Sequence, residues 1–312
     1  MEESAAAFGA ARTAHAWGPI MVNRPARTER RLLKVVAFNA RSGGSLEKIS
    51  IVLRRPPLNY PDIILLSEMD WRTSRSGRRE TAAELAADLG MSFAYIGEFG
   101  FPRPGGEPVS FVGNAILSNR PLADVHVLPL ANKLIGRRIR RLIGAPAGLV
   151  AKVLVNRRPL VVGIAHLNSR WNPQGRESQM IRYLEGFPDG TAAIVGGDFN
   201  TTTVDLSSRA SYIKVMALLL LQRYRFRNPQ KWEPLFERLR EAGFDTAGAN
   251  VSGTATFTPS RLVPPIVRPK LDWLALRGLK PLAGSAVVVP ARMSFFAPRF
   301  SDHDFIMCIV EA

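Results

Sequence analysis

Cysteine is almost absent from this chain. A single thiol, Cys308, occurs in 312 residues, so no disulfide can close within the chain and a thiolate zinc site is excluded. Cys308 sits in a final apolar run and reads as a buried structural thiol. Long hydrophobic runs are missing as well. Val215 to Leu221 comes nearest, but Lys214 and Arg223 flank it and it is too short to span a bilayer. The N-terminus carries acids where an export signal needs basic residues, and it has no long apolar centre. Residues 1–31 read as a poorly ordered extension. These absences lead us to expect a cytoplasmic protein. Neither low-complexity tracts nor short-period repeats occur.

Acid is the scarcer charge. Forty-two Lys and Arg against 26 Asp and Glu give a net charge of +16. An excess of this size suggests a polyanionic partner: nucleic acid, an anionic membrane surface or a phosphorylated small molecule. Arginine far outnumbers lysine and alanine is abundant, which a GC-rich genome would also produce, so charge alone does not choose.

The chain is 46% hydrophobic, enough core for one large domain or two small ones. Strand-like runs cover 32–40, 62–67, 93–99, 111–119, 149–155, 160–167, 192–198, 254–258, 271–276, 285–289 and 305–310. Helical patterns cover 45–53, 176–184, 205–223 and 232–242. A further helix ends at Gly90, with Thr81 and Glu84 at capping-box spacing. The stretch AAIVGGDFN, residues 192–200, is the most informative. It reads as a buried strand, two glycines, then Asp198 and Asn200, which period-2 geometry puts on one side. The glycines suit a turn or the close approach of a substrate backbone. An Asx-type turn would explain the stretch equally well.

The remaining runs favour a site. Asn39, Glu68, His166 and Asp198/Asn200 each end an apolar run, whereas Asp272 and Asp302/His303 each begin one. If the last strands run antiparallel to the first, all of these meet on one rim. Glu68, Asp198, Asp272 and Asp302 are more carboxylates than one pocket can hold uncompensated. A hard divalent cation resolves the conflict, and oxygen donors without cysteine suit Mg2+, with Mn2+ as the alternative. His166 and His303 are then better placed for a substrate oxyanion than for the metal. This is equipment for in-line attack of water on phosphorus.

In order along the chain stand Phe38-Asn39, Ser67-Glu68, Gly113-Asn114-Ala115-Ile116-Leu117-Ser118, Ala165-His166-Leu167, Gly197-Asp198-Phe199-Asn200, Leu271-Asp272-Trp273 and Ser301-Asp302-His303. With these the chain resembles the endonuclease/exonuclease/phosphatase superfamily from about residue 32 to 312. The resemblance implies an α/β fold: a two-sheet mixed β-sandwich flanked by helices, four-layered and deoxyribonuclease-like. It implies a catalytic domain over 32–312 with Glu68, Asn39 and Asp302 about the metal. Asp198 would orient or deprotonate water, and Asn200 would hydrogen-bond the scissile phosphate. His303, its tautomer fixed by Asp272, would stabilise developing charge, and His166 would contact a phosphate oxygen. Asn114 is a further substrate-binding candidate. One departure is Ser67, where family members often have glutamine.

Substrate choice is less defined. We expect a phosphodiesterase acting as an endonuclease or exonuclease on nucleic acid. The alternatives are a sphingomyelinase-like or phosphoinositide phosphatase-like enzyme on anionic lipid, or a catalytically retired polyanion binder. Arg137, Arg138, Arg140 and Arg141 are candidates to grip a phosphate backbone. Tyr224, Arg225, Phe226, Arg227 and Trp232 interleave bases with aromatics, as in stacking on unpaired bases, a lipid interface or an amphipathic helix packed on its own core. Asp70 reads as a solvated loop acid, Asp304 as a turn residue and His126 as a surface loop residue.

Overall fold

The computed structural model describes residues 12–13, 16–26, 31–43, 45–101, 110–130, 144–205, 221–260 and 263–312. The strands are β1 (Arg12–Thr13), β2 (Ala16–Val22), β3 (Leu32–Asn39), β4 (Ile63–Trp71), β5 (Ser92–Gly100), β6 (Phe111–Ser118), β7 (Leu122–Pro129), β8 (Ala147–Val155), β9 (Arg158–Ile164), β10 (Ala193–Asp198), β11 (Asp272–Arg277), β12 (Lys280–Pro281), β13 (Val287–Val289) and β14 (Phe305–Glu311). The helices are α1 (Leu46–Arg54), α2 (Thr81–Leu89), α3 (Pro173–Leu184) and α4 (Leu235–Glu241). One sheet runs β1-β2-β5-β6-β4-β3-β14-β12, with β13 on β14; the other runs β11-β10-β9-β8-β7. Both are mixed. β3 and β4 are parallel, as are β9 and β10, while β14 and β11 run antiparallel to their neighbours β3 and β10.

Near-continuous apolar runs require burial on both faces of a strand, and the packing supplies it. In β3, Leu33, Val35 and Ala37 face the second sheet, where they meet Leu149, Val162, Ile164, Ile194 and Leu274. Val36 and Phe38 face outward, onto Ile49 and Leu53 of α1 and Leu85 of α2. On the far side, Val161, Val195 and Ala275 pack under Met180 and Tyr183 of α3 and Leu235 and Leu239 of α4. The result is the expected order of helices, sheet, sheet, helices.

Several details differ from the sequence expectation. The stretch before residue 32 is partly built into the fold, because β2 pairs with the edge of β5 and buries Trp17 and Ile20. β7 holds residues taken for a loop: its outer face is exposed, which hid the period, and His126 sits there. Residues 254–258 form no strand; Phe257 makes an isolated bridge to His303. The arginine–aromatic stretch folds as two 3-10 turns, Arg223–Phe226 and Pro229–Lys231, rather than as an amphipathic helix. The ring of Trp232 packs on Tyr224, with Arg225 above it. The Thr81–Glu84 capping box does not form at α2. Glu80 is the N-cap, its N–H donates to Glu84, and Thr81 instead donates its hydroxyl to Asp70 O. Most of the helical pattern 205–223 lies outside the described residues, and the pattern 232–242 forms α4, which begins after Pro234.

Candidate active site

The parallel pairs bring two chain ends to one rim. In the first sheet Asn39 aligns with Ser67. In the second, Ala165 N donates to Gly196 O and Leu167 N donates to Asp198 O, so the ladder carries His166 to the level of Asp198. The antiparallel strands start at the same rim. Asp198 is paired with Asp272 across β10 and β11, and Ser301 Oγ donates to Asn39 O at 2.9 Å, pinning the segment before β14. The six segments therefore converge as the sequence predicts.

Glu68 reaches the rim through a β-bulge. The register of β4 against β6 shifts between Leu66 and Met69, and Glu68 takes φ = 55°. An extra residue re-aims a side chain without ending the strand, so β4 continues to Trp71 instead of stopping at Glu68. Asp70, beyond the bulge, is fully buried against Thr73 and the Arg75 guanidinium, not solvated.

Asp198 occupies the centre. Its Oδ2 accepts from Asn39 Nδ2 at 3.0 Å, and Asn39 Nδ2 also donates to Glu68 Oε1 at 3.1 Å. His166 Nε2 and His303 Nε2 each lie 3.6 Å from the same Asp198 Oδ2. One carboxylate oxygen thus faces two imidazole nitrogens at a distance just beyond a hydrogen bond. Asp198 Oδ1 accepts the N–H of Asn200 at 2.9 Å, so the turn reading was also right: the site is built on an Asx turn. Asn200 Nδ2 donates to Leu167 O at 2.8 Å, which commits one of its two amide hydrogens.

Asp272 holds His303 from behind. Its Oδ2 lies 2.8 Å from His303 Nδ1, which places the proton on Nδ1 and turns Nε2 toward Asp198. Both groups are buried. Burial disfavours the charged imidazole, but Asp272 and Asp198 outweigh it and lift the His303 pKa to about 10. Burial also raises Asp272, to about 6, against the pull of His303. The contact is that of an imidazolium held by a carboxylate.

A buried acid that sequence reasoning missed, Glu98, acts on His166 through its charge. Glu98 lies in β5 at a shift in register between Gly97 and Phe99, and it is buried. Burial raises its pKa to about 7 even with His166 close by. Burial disfavours the charged form of His166, but Asp198, Glu68 and Glu98 outweigh it and raise its pKa. Glu98 Oε1 accepts from Ala147 N at 2.8 Å. The signal in the sequence was an acid inside an otherwise apolar strand. Asn114 is fully buried and its amide donates to Ala147 O and Glu98, so it braces this acid and does not face open space.

Asp302 lies on the rim with its carboxylate 3.5 Å from Arg41 Nε. It makes no direct bond to Glu68 or Asn39 among the described residues. Arg137, Arg138, Arg140 and Arg141 lie outside the described residues. Gly196 and Gly197 serve packing, not substrate clearance. A Cβ on Gly197, at φ = 129°, would come within 2.3 Å of Ala165 O, and one on Gly196 would strike Leu274 and Leu65.

The residues fit a hard cation. Asp198, Asp272 and His303 offer ligand atoms within 4.8 Å of one another, although His303 Nδ1 is already bonded to Asp272. A more open oxygen set is Glu68, about a third exposed, with the Asn39 amide and Asp302. Glu68 and Asp198 converge on one neutral amide, an arrangement that a cation between anions would stabilise.

Fold and site together define a phosphoric ester hydrolase with a carboxylate, amide and histidine centre. A family-wide sequence profile described as the Endonuclease/Exonuclease/phosphatase family matches residues 24–303. The chain belongs to that family, whose members are phosphoric ester hydrolases dependent on divalent metal. Among solved structures it is similar to an endonuclease/exonuclease/phosphatase from Beutenbergia cavernae, at 19% identity and a TM-score of 0.61, covering 90% of this chain and 72% of that one. An AP endonuclease from Archaeoglobus fulgidus shares 16% identity at a TM-score of 0.56, over 90% and 100% of the two chains. TDP2 from D. rerio, complexed with a single strand DNA product, shares 16% at 0.55, over 90% and 99%. At these identities the likeness is one of fold. No curated protein matches the chain.

Proposed function

We propose that the protein is a Mg2+-dependent phosphodiesterase acting on nucleic acid, with Mn2+ as a second competent ion. Glu68, Asn39 and Asp302 would hold the cation, which when bound supplies Lewis acidity at the phosphoryl group. The chain's own residues do the rest. Asp198 accepts the proton of the attacking water through Oδ2. His303 donates from Nε2 to a phosphoryl oxygen, and Asp272 keeps it protonated and aimed. His166 donates from the other side. Asn200 offers its second amide hydrogen to the phosphate, from a turn that Asp198 itself fixes.

The observation that carries this reading is the single oxygen Asp198 Oδ2, flanked at 3.6 Å by two imidazole nitrogens. A carboxylate oxygen and two imidazole nitrogens facing one point supply a base for water and donors for phosphoryl oxygens to a group seated over them. The choice of nucleic acid is supported by the basic excess of the chain and by the TDP2 relative, which is complexed with single strand DNA. Among the described residues no helix is long and apolar enough to cross a membrane. A cytoplasmic location belongs to the same reading, on the basis of the lone, buried thiol.

A substrate panel tests the reading: abasic-site duplex, single-stranded DNA, RNA, sphingomyelin and phosphoinositides, each with Mg2+ or EDTA. Mg2+-dependent cleavage of a nucleic acid is expected. Turnover of a lipid with every nucleic acid left intact would overturn it.

A further inference from the structure

Beside the catalytic rim lies a second cavity of about 580 Å³, within the range of small-ligand sites. Its wall is shared with the centre described above. Thr258, in the lining, donates its N–H to Asp302 O at 2.7 Å, and the neighbouring Phe257 ring lies 4.8 Å from the His303 imidazole. Arg299, also in the lining, donates to His303 O at 2.9 Å and pairs with Asp304. The cavity is therefore tied to the segment that carries Asp302 and His303.

The lining is strongly cationic. Asp304 is its one acid among the described residues, and Arg299 neutralises it. Arg227, Arg268 and Arg292 have no carboxylate at ion-pair distance among the described residues. Each is instead anchored on a backbone carbonyl: Arg227 on Pro265, Arg268 on Val263 at 3.0 Å, Arg292 on Phe295 at 2.9 Å. A guanidinium has five donors, so anchoring fixes the fork and leaves most of it open. Arg227 Nε is buried and without a hydrogen-bond partner among the described residues. The same wall carries two aromatic side chains turned to solvent. Phe295 and Phe296 are 74% and 92% exposed, with rings 5.3 Å apart and nearly perpendicular. Arg292 lies 4.7 Å above the Phe295 ring.

We propose that this cavity is a nucleotide subsite for single-stranded nucleic acid. It takes the unit next to the scissile phosphodiester, with a phosphate on Arg227, Arg268 and Arg292 and an unpaired base against Phe295 and Phe296. Fixed guanidinium forks suit phosphate oxygens, and exposed rings suit any base face. A paired base offers no face, which points to an unpaired strand. A lipid chain needs a continuous apolar floor, and four arginines interrupt this one. The inference rests on the phosphodiesterase reading above and supplies its substrate class.

The test uses the full chain and two readouts. Fluorescence anisotropy with a labelled short oligothymidylate measures the cavity directly. Hydrolysis of bis(p-nitrophenyl) phosphate, too small to bridge to the cavity, measures the catalytic centre. R227A/R268A and F295A/F296A should each weaken oligothymidylate binding by about tenfold. The arginine variant should also flatten the salt dependence, while the phenylalanine variant should leave it unchanged. Small-diester turnover should be the same in all three proteins. R292E is a second charge variant at a half-buried side chain, should the double variant fail to fold. Unchanged oligothymidylate binding in both double variants would overturn the subsite. So would loss of binding only to phosphatidylcholine vesicles carrying phosphatidylinositol phosphate. Absence of small-diester turnover in the wild type would instead defeat the phosphodiesterase reading, and anisotropy would still decide what the cavity binds.

Discussion

His303 shows how burial and charge compete on one imidazole. Asp272 and Asp198 outweigh desolvation and lift its pKa to about 10. Because the folded value lies above the unfolded one, its contribution to stability is complete below about pH 6.5 and is lost as pH rises through about 10. If the imidazolium is the donor, turnover should hold into the alkaline range and fall as pH approaches 10. D272N removes the carboxylate that holds the proton, so its alkaline limb should move to lower pH and its kcat should drop by about 10²-fold or more. A limb unmoved in D272N would show that Asp272 does not tune His303. Of the individual site residues, the six rim segments were legible because each stands where an apolar run starts or stops. Glu98 and Asn114 were harder. They sit inside buried strands, and the acid is tolerated there because Ala147 N and Asn114 donate to it, partners that no local pattern reveals. The Asp198 turn was legible as chemistry and as a turn, and it proves to be both.

At the scale of elements, β10 depends on close strand contact. A Cβ at Gly197 meets Ala165 O at 2.3 Å in a backbone conformation that disfavours L side chains. G197A should therefore cost about 2 kcal/mol or more in denaturant unfolding, and it should spoil the alignment of His166 with Asp198. A neutral substitution would refute the packing role. β2 gives a second expectation. Trp17 is buried with its ring 4.8 Å from Phe111, so W17A should lower stability by about 3 kcal/mol. A stability unchanged by W17A would return this segment to the status of a loose extension. Buried strands with apolar residues on both faces were readable directly. β7, open on one face, and β2, separated from the domain by a polar stretch, were not. The bulge at Glu68 was read as a strand end, since period alone cannot distinguish an interruption from a stop.

For the whole molecule, the four-layer order follows from strands that are apolar on both faces, which two sheets and two helical layers must cover. The net charge of +16 has a definite consequence if it tracks phosphates. Affinity for oligonucleotide should then fall steeply with salt, with a log–log slope of several units; a flat dependence would mark the basic surface as compositional. The central claim is that one oxygen, Asp198 Oδ2, set between two imidazoles and beside a cation site, drives phosphodiester hydrolysis. The most direct measurement is the turnover of bis(p-nitrophenyl) phosphate by wild type and D198N, in Mg2+ and after EDTA. The wild type should turn over in Mg2+, stop in EDTA and recover when Mg2+ or Mn2+ is restored, while D198N should fall by about 10³-fold. Wild-type turnover in EDTA, or D198N turnover equal to wild type, would contradict it.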